Sequence, residues 1–168
     1  EQSSYSIFGR NIGRFVLPVC RRYGMGMIVW SPLDGGFLSG RYRRPEDITD
    51  DTRIARFSKM FRGSFDPHEA LIQRKLELVG ELAKLADGEG VTLAQLAIAF
   101  TIEHPGVTSA IIGPRTMEHL ETILAAGDLK LKPETLDRID ALVPPGTSLN
   151  PLVDMPSGTT KAALRRQA

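Results

Sequence analysis

At 168 residues the chain is long enough for one domain with a real core, and its 42% hydrophobic and 24% charged residues are those of a globular protein. A formal net charge of +1 predicts neither a nucleic-acid nor a membrane-surface partner, and no apolar run is long enough to span a bilayer. Cys20 is the only cysteine, which excludes an internal disulfide and fits a reducing compartment, so the expected location is cytoplasmic.

The chain opens on Glu1-Gln2-Ser3-Ser4, which lacks the apolar run of a signal peptide and does not begin with Met. It is therefore expected to be a piece of a longer polypeptide. Glu1 to Gly9 is polar with aromatic insertions and reads as a loop. Asn11 to Tyr23 carries Phe15, Val16, Val19, Cys20 and Tyr23 at helical spacing, with Pro18 marking either a kink or a late start, and Gly24 as the stop.

Met27 to Trp30 reads as a short apolar strand bounded by Gly26 and Pro32. The residues after it, Ser31 to Tyr42, cannot continue as strand or helix, because Pro32 lacks an N–H and Gly35, Gly36 and Gly40 favour turns. A hydroxyl- and glycine-bearing loop at the carboxyl end of a buried strand, with Arg41 beyond it, suits an anionic ligand such as a phosphate. The same pattern also fits an ordinary strand-to-loop turn.

From Tyr42 to Asp66 there is little periodicity, and cations outnumber acids between Arg41 and Gly63, as in a basic lid or a merely solvated loop. Pro67 to Ala86 is the longest helical stretch, with Asp66 as its expected cap and Leu71, Leu76, Val79, Leu82, Ala83 and Ala86 as its apolar stripe. Thr92-Leu93-Ala94-Gln95 matches a capping box and opens a helix to His104 that is apolar almost all round, hence core. Val107 to Ile112 reads as a second strand, ending in Gly113-Pro114-Arg115 and a helix from Met117 to Ala125 capped by Thr116. Amides at that helix start beside Arg115 would suit an anion, although Arg115 also fits a plain surface cation. A last helix spans Pro133 to Val143.

Helices alternating with two buried strands argue for a parallel α/β sheet covered on both faces. Two central strands cannot satisfy a sheet's edges, so others must be supplied from elsewhere. No dinucleotide glycine fingerprint, P-loop or nucleophile elbow around Ser39 is present. His68, His104 and His119 have no metal-ligand spacing with one another or with Cys20, so no metal site is expected.

Five segments in register resemble the carboxy-terminal half of aldo-keto reductases. They are Gln2…Tyr5-Ser6-Ile7-Phe8…Arg10, Val16-Leu17-Pro18-Val19-Cys20, Trp30-Ser31-Pro32-Leu33…Gly36…Leu38-Ser39-Gly40-Arg41-Tyr42, Thr92-Leu93-Ala94-Gln95-Leu96-Ala97 and Ile111-Ile112-Gly113-Pro114-Arg115-Thr116-Met117-Glu118. The resemblance implies an α/β fold, the carboxy-terminal portion of a (β/α)8 TIM barrel, in which the two strands are similar to the seventh and eighth and the barrel is incomplete. Residues 1–150 would form this partial barrel domain, and residues 151–168, rich in Pro, Ser, Thr and basic residues, a loosely held tail.

By position, the resemblance implies an NADP(H) site. Gln2 matches the glutamine that bonds the nicotinamide carboxamide, and Trp30 the aromatic that stacks on the ring. Ser31, Pro32, Leu33, Asp34 and Gly35 match the pyrophosphate loop, which Ser39 and Gly40 continue, with Arg41 and Arg53 on its lid. Gly113 and Arg115 match the adenosine end, where a cation beside the 2′-phosphate favours NADP(H) over NAD(H). His119 stands where many relatives have glutamine, and Thr122 replaces a frequent acidic residue. The family's catalytic tyrosine, lysine, aspartate and histidine lie upstream of the matched segment, and Tyr5, Tyr23 and Tyr42 do not match that tyrosine. The implied activity is an NADPH-dependent reductase of aldehydes or ketones, with a small-molecule carbonyl substrate, of which this segment carries the cofactor grip and no catalytic residue. The alternative is a non-catalytic NADP(H)-sensing subunit similar to potassium-channel β-subunits, and a third is an unrelated barrel enzyme taking a phosphorylated metabolite.

Overall fold

The computed structural model describes residues 1–62 and 66–150; the tail expected over 151–168 lies outside them. Three short strands, β1 (Gln2–Ser4), β2 (Ile28–Trp30) and β3 (Ser109–Ala110), form one parallel sheet in that order. Gln2 stands opposite Ile28, and Ile28 opposite Ser109. Parallel neighbours need long crossovers. Here α1 (Val16–Arg22) joins β1 to β2, and α2 (Arg53–Arg62), α3 (Ala70–Gly88) and α4 (Leu93–Glu103) lie between β2 and β3. The helices α5 (Met117–Leu124) and α6 (Pro133–Leu142) follow.

The third strand, β1, replaces the loop expected over residues 1–9. Gln-Ser-Ser offers no apolar alternation to read; its strand character comes from pairing with β2, not from its own side chains. The Val107–Ile112 strand shortens to Ser109–Ala110, although Thr108 N–H to Met27 O (2.8 Å) and Ile111 N–H to Val29 O (2.8 Å) extend the bonding at both ends.

Pro18 is the third residue of α1, where its missing N–H would have had no partner, so the late start is the one realised. The inward face of α1 is Leu17 and Cys20, whereas Phe15 and Tyr23, expected inside, are 75% and 69% exposed. The stretch expected to lack periodicity contains α2, preceded by Thr52, whose Oγ accepts from Ala55 N–H at 3.4 Å. Ala55 and Ser58 are buried, and Ile54 packs partly buried against the core beside them on one helical face. Asp66 does not cap α3. Its carboxylate accepts from His68 N–H at 2.8 Å in a turn, and the helix begins at Ala70 after Glu69.

The core lies on one face of the sheet. Val29 and Met27 share one buried cluster with Leu96, Ala97 and Phe100 of α4, which is buried nearly all round, and with Val79, Leu82 and Ala86 of α3. Thr92 and Gln95 close the expected capping box on α4. The opposite face differs from expectation: Ser4 and Trp30 are covered at its carboxyl end, but Ile28 is 44% and Ile111 46% exposed, so the described residues leave part of it open. All three strands run the same way, so the loops after Ser4, Trp30 and Ala110 open at one end. Among the described residues no single helix is long and apolar enough to cross a membrane.

Candidate functional site

β2 ends at Trp30, and the chain then turns sharply. Ser31 and Asp34 adopt φ of +57° and +49°, and Gly35, Gly36 and Gly40 also lie in the left-handed region. For the two non-glycine residues this conformation costs on the order of 1–3 kcal/mol each and persists only where the surroundings over-determine it. Here they do. Asp34 N–H bonds Ser31 O at 2.9 Å, Gly36 N–H bonds Leu33 O at 2.9 Å, and the Ser39 hydroxyl donates to Gly36 O at 2.6 Å. Phe37 and Leu38 are fully buried plugs, and the Phe37 ring meets Tyr42 edge-on at 5.7 Å. Gly36, at φ +109°, holds a backbone shape that favours glycine, and a Cβ there would stand 3.2 Å from the Tyr42 ring.

Behind this loop lies a buried ion pair that sequence reasoning missed. Lys75 of α3 places Nζ 2.7 Å from Asp34 Oδ2, with both side chains nearly sealed from water. Asn150 joins them, accepting from Lys75 and donating to Asp34 Oδ1, each at 2.5 Å. The Lys75 ammonium also stands 4.9 Å from the Phe37 ring centroid. Asn150 is delivered by a strap: Arg10 N–H bonds Thr147 O at 2.8 Å, and Leu149 N–H bonds Phe8 O at 2.7 Å. Arg10 itself anchors the end of α6, donating to Val143 O at 2.5 Å and pairing with Asp140 at 2.7 Å. The signal for Lys75 was present in the sequence, because it falls on the same helical stripe as Ile72, Leu76 and Val79.

Five of the expected residues, Trp30, Ser31, Asp34, Gly35 and Arg53, line one cavity of about 300 Å³ at the carboxyl end of β2. Ser4, Ser58, Lys75 and Asn150 add polar groups to its wall, and Ile54, Phe57, Leu71, Ile72 and Leu149 add apolar ones. The other expected residues stand outside this wall. Pro32 is buried and Leu33 half-buried beneath the loop, while Ser39 and Arg41 are exposed on its far side, flanking Gly40. Gln2 shares a sheet face with Ile28 and Trp30, but sits two residues nearer the amino end of the strands than Ser4, the partner of Trp30. Gly113, Arg115 and His119 are exposed where β3 runs into α5, at the same end of the sheet as the cavity. There the Thr116 hydroxyl accepts from His119 N–H at 3.2 Å, the cap expected from sequence.

A wider depression of about 580 Å³, bounded by Leu17, Arg21, Arg22 and His104, lies near the amino end of β3, away from these loops. Burial, and then Arg10 and Arg21, hold the His104 imidazole below its usual range. Burial likewise pushes the Tyr5 phenol up, against the opposing pull of Arg10. A phenol acting as an acid near neutral pH needs the reverse shift, and the Tyr5 ring stacks 6.0 Å from Phe100. Among the described residues no group of His, Cys, Asp and Glu could hold a metal ion.

Parallel strands linked by helices, with a lined cavity where those strands end, define an α/β protein with a candidate site at the carboxyl edge of the sheet, where ligands of such folds bind. The chain belongs to the Aldo/keto reductase family, which residues 1–144 match. Over 146 residues it is 34% identical to a probable voltage-gated potassium channel subunit beta of Oryza sativa subsp. japonica, covering 85% of this chain and 43% of that protein. It is 32% identical over 144 residues to the uncharacterized oxidoreductase YrpG of Bacillus subtilis (strain 168), covering 86% and 40%. Among solved structures, an aldo-keto reductase from Klebsiella pneumoniae in complex with NADPH superimposes with a TM-score of 0.58 at 27% identity, over 92% of this chain and 42% of that one. The chain thus spans less than half the length of these relatives.

Proposed function

We propose that this chain is the cofactor-holding, carboxy-terminal part of an NADPH-dependent reductase of aldehydes or ketones, working in the cytoplasm. The observation that carries the reading is the cavity in which Trp30, Ser31, Asp34, Gly35 and Arg53 meet. A complete (β/α)8 barrel takes about 250 residues. The uncovered sheet face at Ile28 and Ile111 supports an incomplete barrel whose other strands come from the rest of the protein.

The residues present fit a nicotinamide dinucleotide. The half-buried Trp30 brings a flat apolar indole to the cavity, suited to stacking on the nicotinamide ring and presenting one ring face to a substrate. Ser31 and Arg53 bring donors suited to a pyrophosphate, with Arg41 further out on the same loop. Arg115, Gly113 and His119 are assigned to the adenosine end, where a guanidinium beside a 2′-phosphate selects NADPH over NADH. When bound, NADPH supplies the hydride that a carbonyl carbon accepts. This segment grips and orients; the general acid is assigned to the part of the protein not in this chain.

The likeness to potassium channel β-subunits, at 34% identity, favours a second reading in which the same site senses NADP(H) without turnover. Both readings are tested on the intact protein that carries this segment. NADPH should quench emission from Trp30, and Trp30→Phe should abolish that quench; emission indifferent to NADPH contradicts both. Oxidation of NADPH in the presence of aldehydes or ketones then separates the enzyme from the sensor.

A further inference from the structure

We propose that Lys75 is a positioning residue, which clamps the Ser31–Gly40 loop to the Leu149–Asn150 segment and so sets how tightly that loop holds its ligand. The identity of that ligand rests on the NADPH reading above; the clamp itself rests on three hydrogen bonds. Lys75 donates to Asp34 (2.7 Å) and to Asn150 (2.5 Å), and Asn150 donates back to Asp34 (2.5 Å). Each bond joins two different parts of the chain: a loop, a helix and the end of the strap. The ring they close is dry, with the Lys75 and Asp34 side chains 4% and 6% exposed.

Stability alone does not account for such a ring. Desolvating two charges offsets most of their attraction, and an apolar pair of the same volume would pack as well. What the ring adds is direction. It fixes Asp34 at φ +49°, three residues from Ser31 at φ +57°, and neither backbone would hold that shape unaided. Both Lys75 and Asp34 reach the cavity wall, so the clamp stands directly behind the surface a ligand would touch. Asp34 and Asn150 take up two of the lysine's three donors and Asp34 pairs its charge, so Lys75 acts through the loop and is not presented to phosphate as a bare cation.

Three variants of the intact protein test this, with Trp30 emission reporting NADPH affinity. Lys75→Met should weaken NADPH binding roughly ten- to a hundredfold, as does loss of the partner that orients a metal ligand. Asp34→Asn should weaken it too. If Asp34→Asn instead tightens binding, Lys75 is a phosphate ligand held in check, and the clamp is wrong. The combined Asp34→Asn, Lys75→Met variant leaves no charge unpaired. It should regain thermal stability while its NADPH affinity stays low, a split that a merely structural pair would not give. Recovery of both overturns the proposal.

Hydrogen exchange of the amides in residues 31–40 needs no cofactor. Those amides should exchange faster in the combined variant than in the wild type, and equal rates refute the clamp even if NADPH proves not to be the ligand. Failure of the wild type to bind NADPH would overturn the functional reading and leave this exchange result to decide the clamp.

Discussion

After β2 the chain turns through Ser31–Gly40 with two left-handed non-glycine residues, a buried ion pair at its back and two side chains driven into the core. After β3 it crosses Gly113 to Thr116 with Arg115 in water and a single threonine cap where α5 begins. Both loops leave parallel strands at the same end of the sheet, yet one is shaped during folding and the other is left open. The ordering cost of the first is met before any ligand arrives, and that of the second falls due on binding. Single changes at the first should therefore move stability and affinity together, while removing the exposed guanidinium of the second should move affinity or selectivity alone.

The strongest test is Lys75→Met, read as a thermal or denaturant midpoint. Removing one partner of a buried pair costs about 3–5 kcal/mol, because the carboxylate of Asp34 would be left uncompensated. A much smaller loss would mean the β2 loop is no more built than its neighbour, and the contrast would vanish. Next comes Arg115→Ala, which should weaken NADPH by about 1.5–3 kcal/mol, the worth of hydrogen bonds to a charged group. NADH affinity and the midpoint should stay where they are; an equal loss for both nucleotides would remove the 2′-phosphate assignment. Thr116→Ala takes away the cap of α5 and should cost about 1 kcal/mol of stability, visible as faster amide exchange in Met117–Leu124.

The smallest effect concerns pH. His104 accepts from Gly106 N–H at 3.0 Å through Nδ1, and its surroundings disfavour the charged ring. The unfolded chain therefore takes up this proton first as pH falls below the ordinary histidine value of 6.5, and stability declines from there downward. Tyr5, whose folded pKa is raised, contributes on the other flank, with stability lost as pH climbs past the ordinary tyrosine value of 10.0. His104→Asn should flatten the acid side. Since His104 lies at the amino end of β3, neither loop's ligand affinity should change with it.

Much of this arrangement could be read from the residues, and the parts that could not share a cause. Thr92, Gln95 and Thr116 act within one turn of their own helices, so local pattern announces them. The strand Ile28–Trp30 is equally plain, framed by Gly26 and Pro32. By contrast, β1 exists only because β2 pairs with it, and α2 turns Ile54, Ala55, Phe57 and Ser58 to one face, a stripe masked by the charged residues set among them. The outward turn of Phe15, Val19 and Tyr23 leaves only Cys20 and the half-buried Val16 of the expected face of α1 inward, since periodicity gives a stripe without saying what lies opposite. At the site, resemblance supplied the loop residues by position, whereas Lys75 and Asn150 reach it from 41 and 116 positions beyond Asp34. A lysine on an apolar stripe was the one local hint.

Ile28 and Ile111 stand in water between two strand edges, β1 and β3, that the described residues leave without a further neighbour. Such edges are templates for another strand. Produced by itself, this segment offers every copy a place to zip onto the next, and inclusion bodies are the expected yield. On the incomplete-barrel reading proposed above, making the rest of the barrel in the same cell, even from a separate plasmid, should carry both pieces into the soluble fraction as one complementing pair.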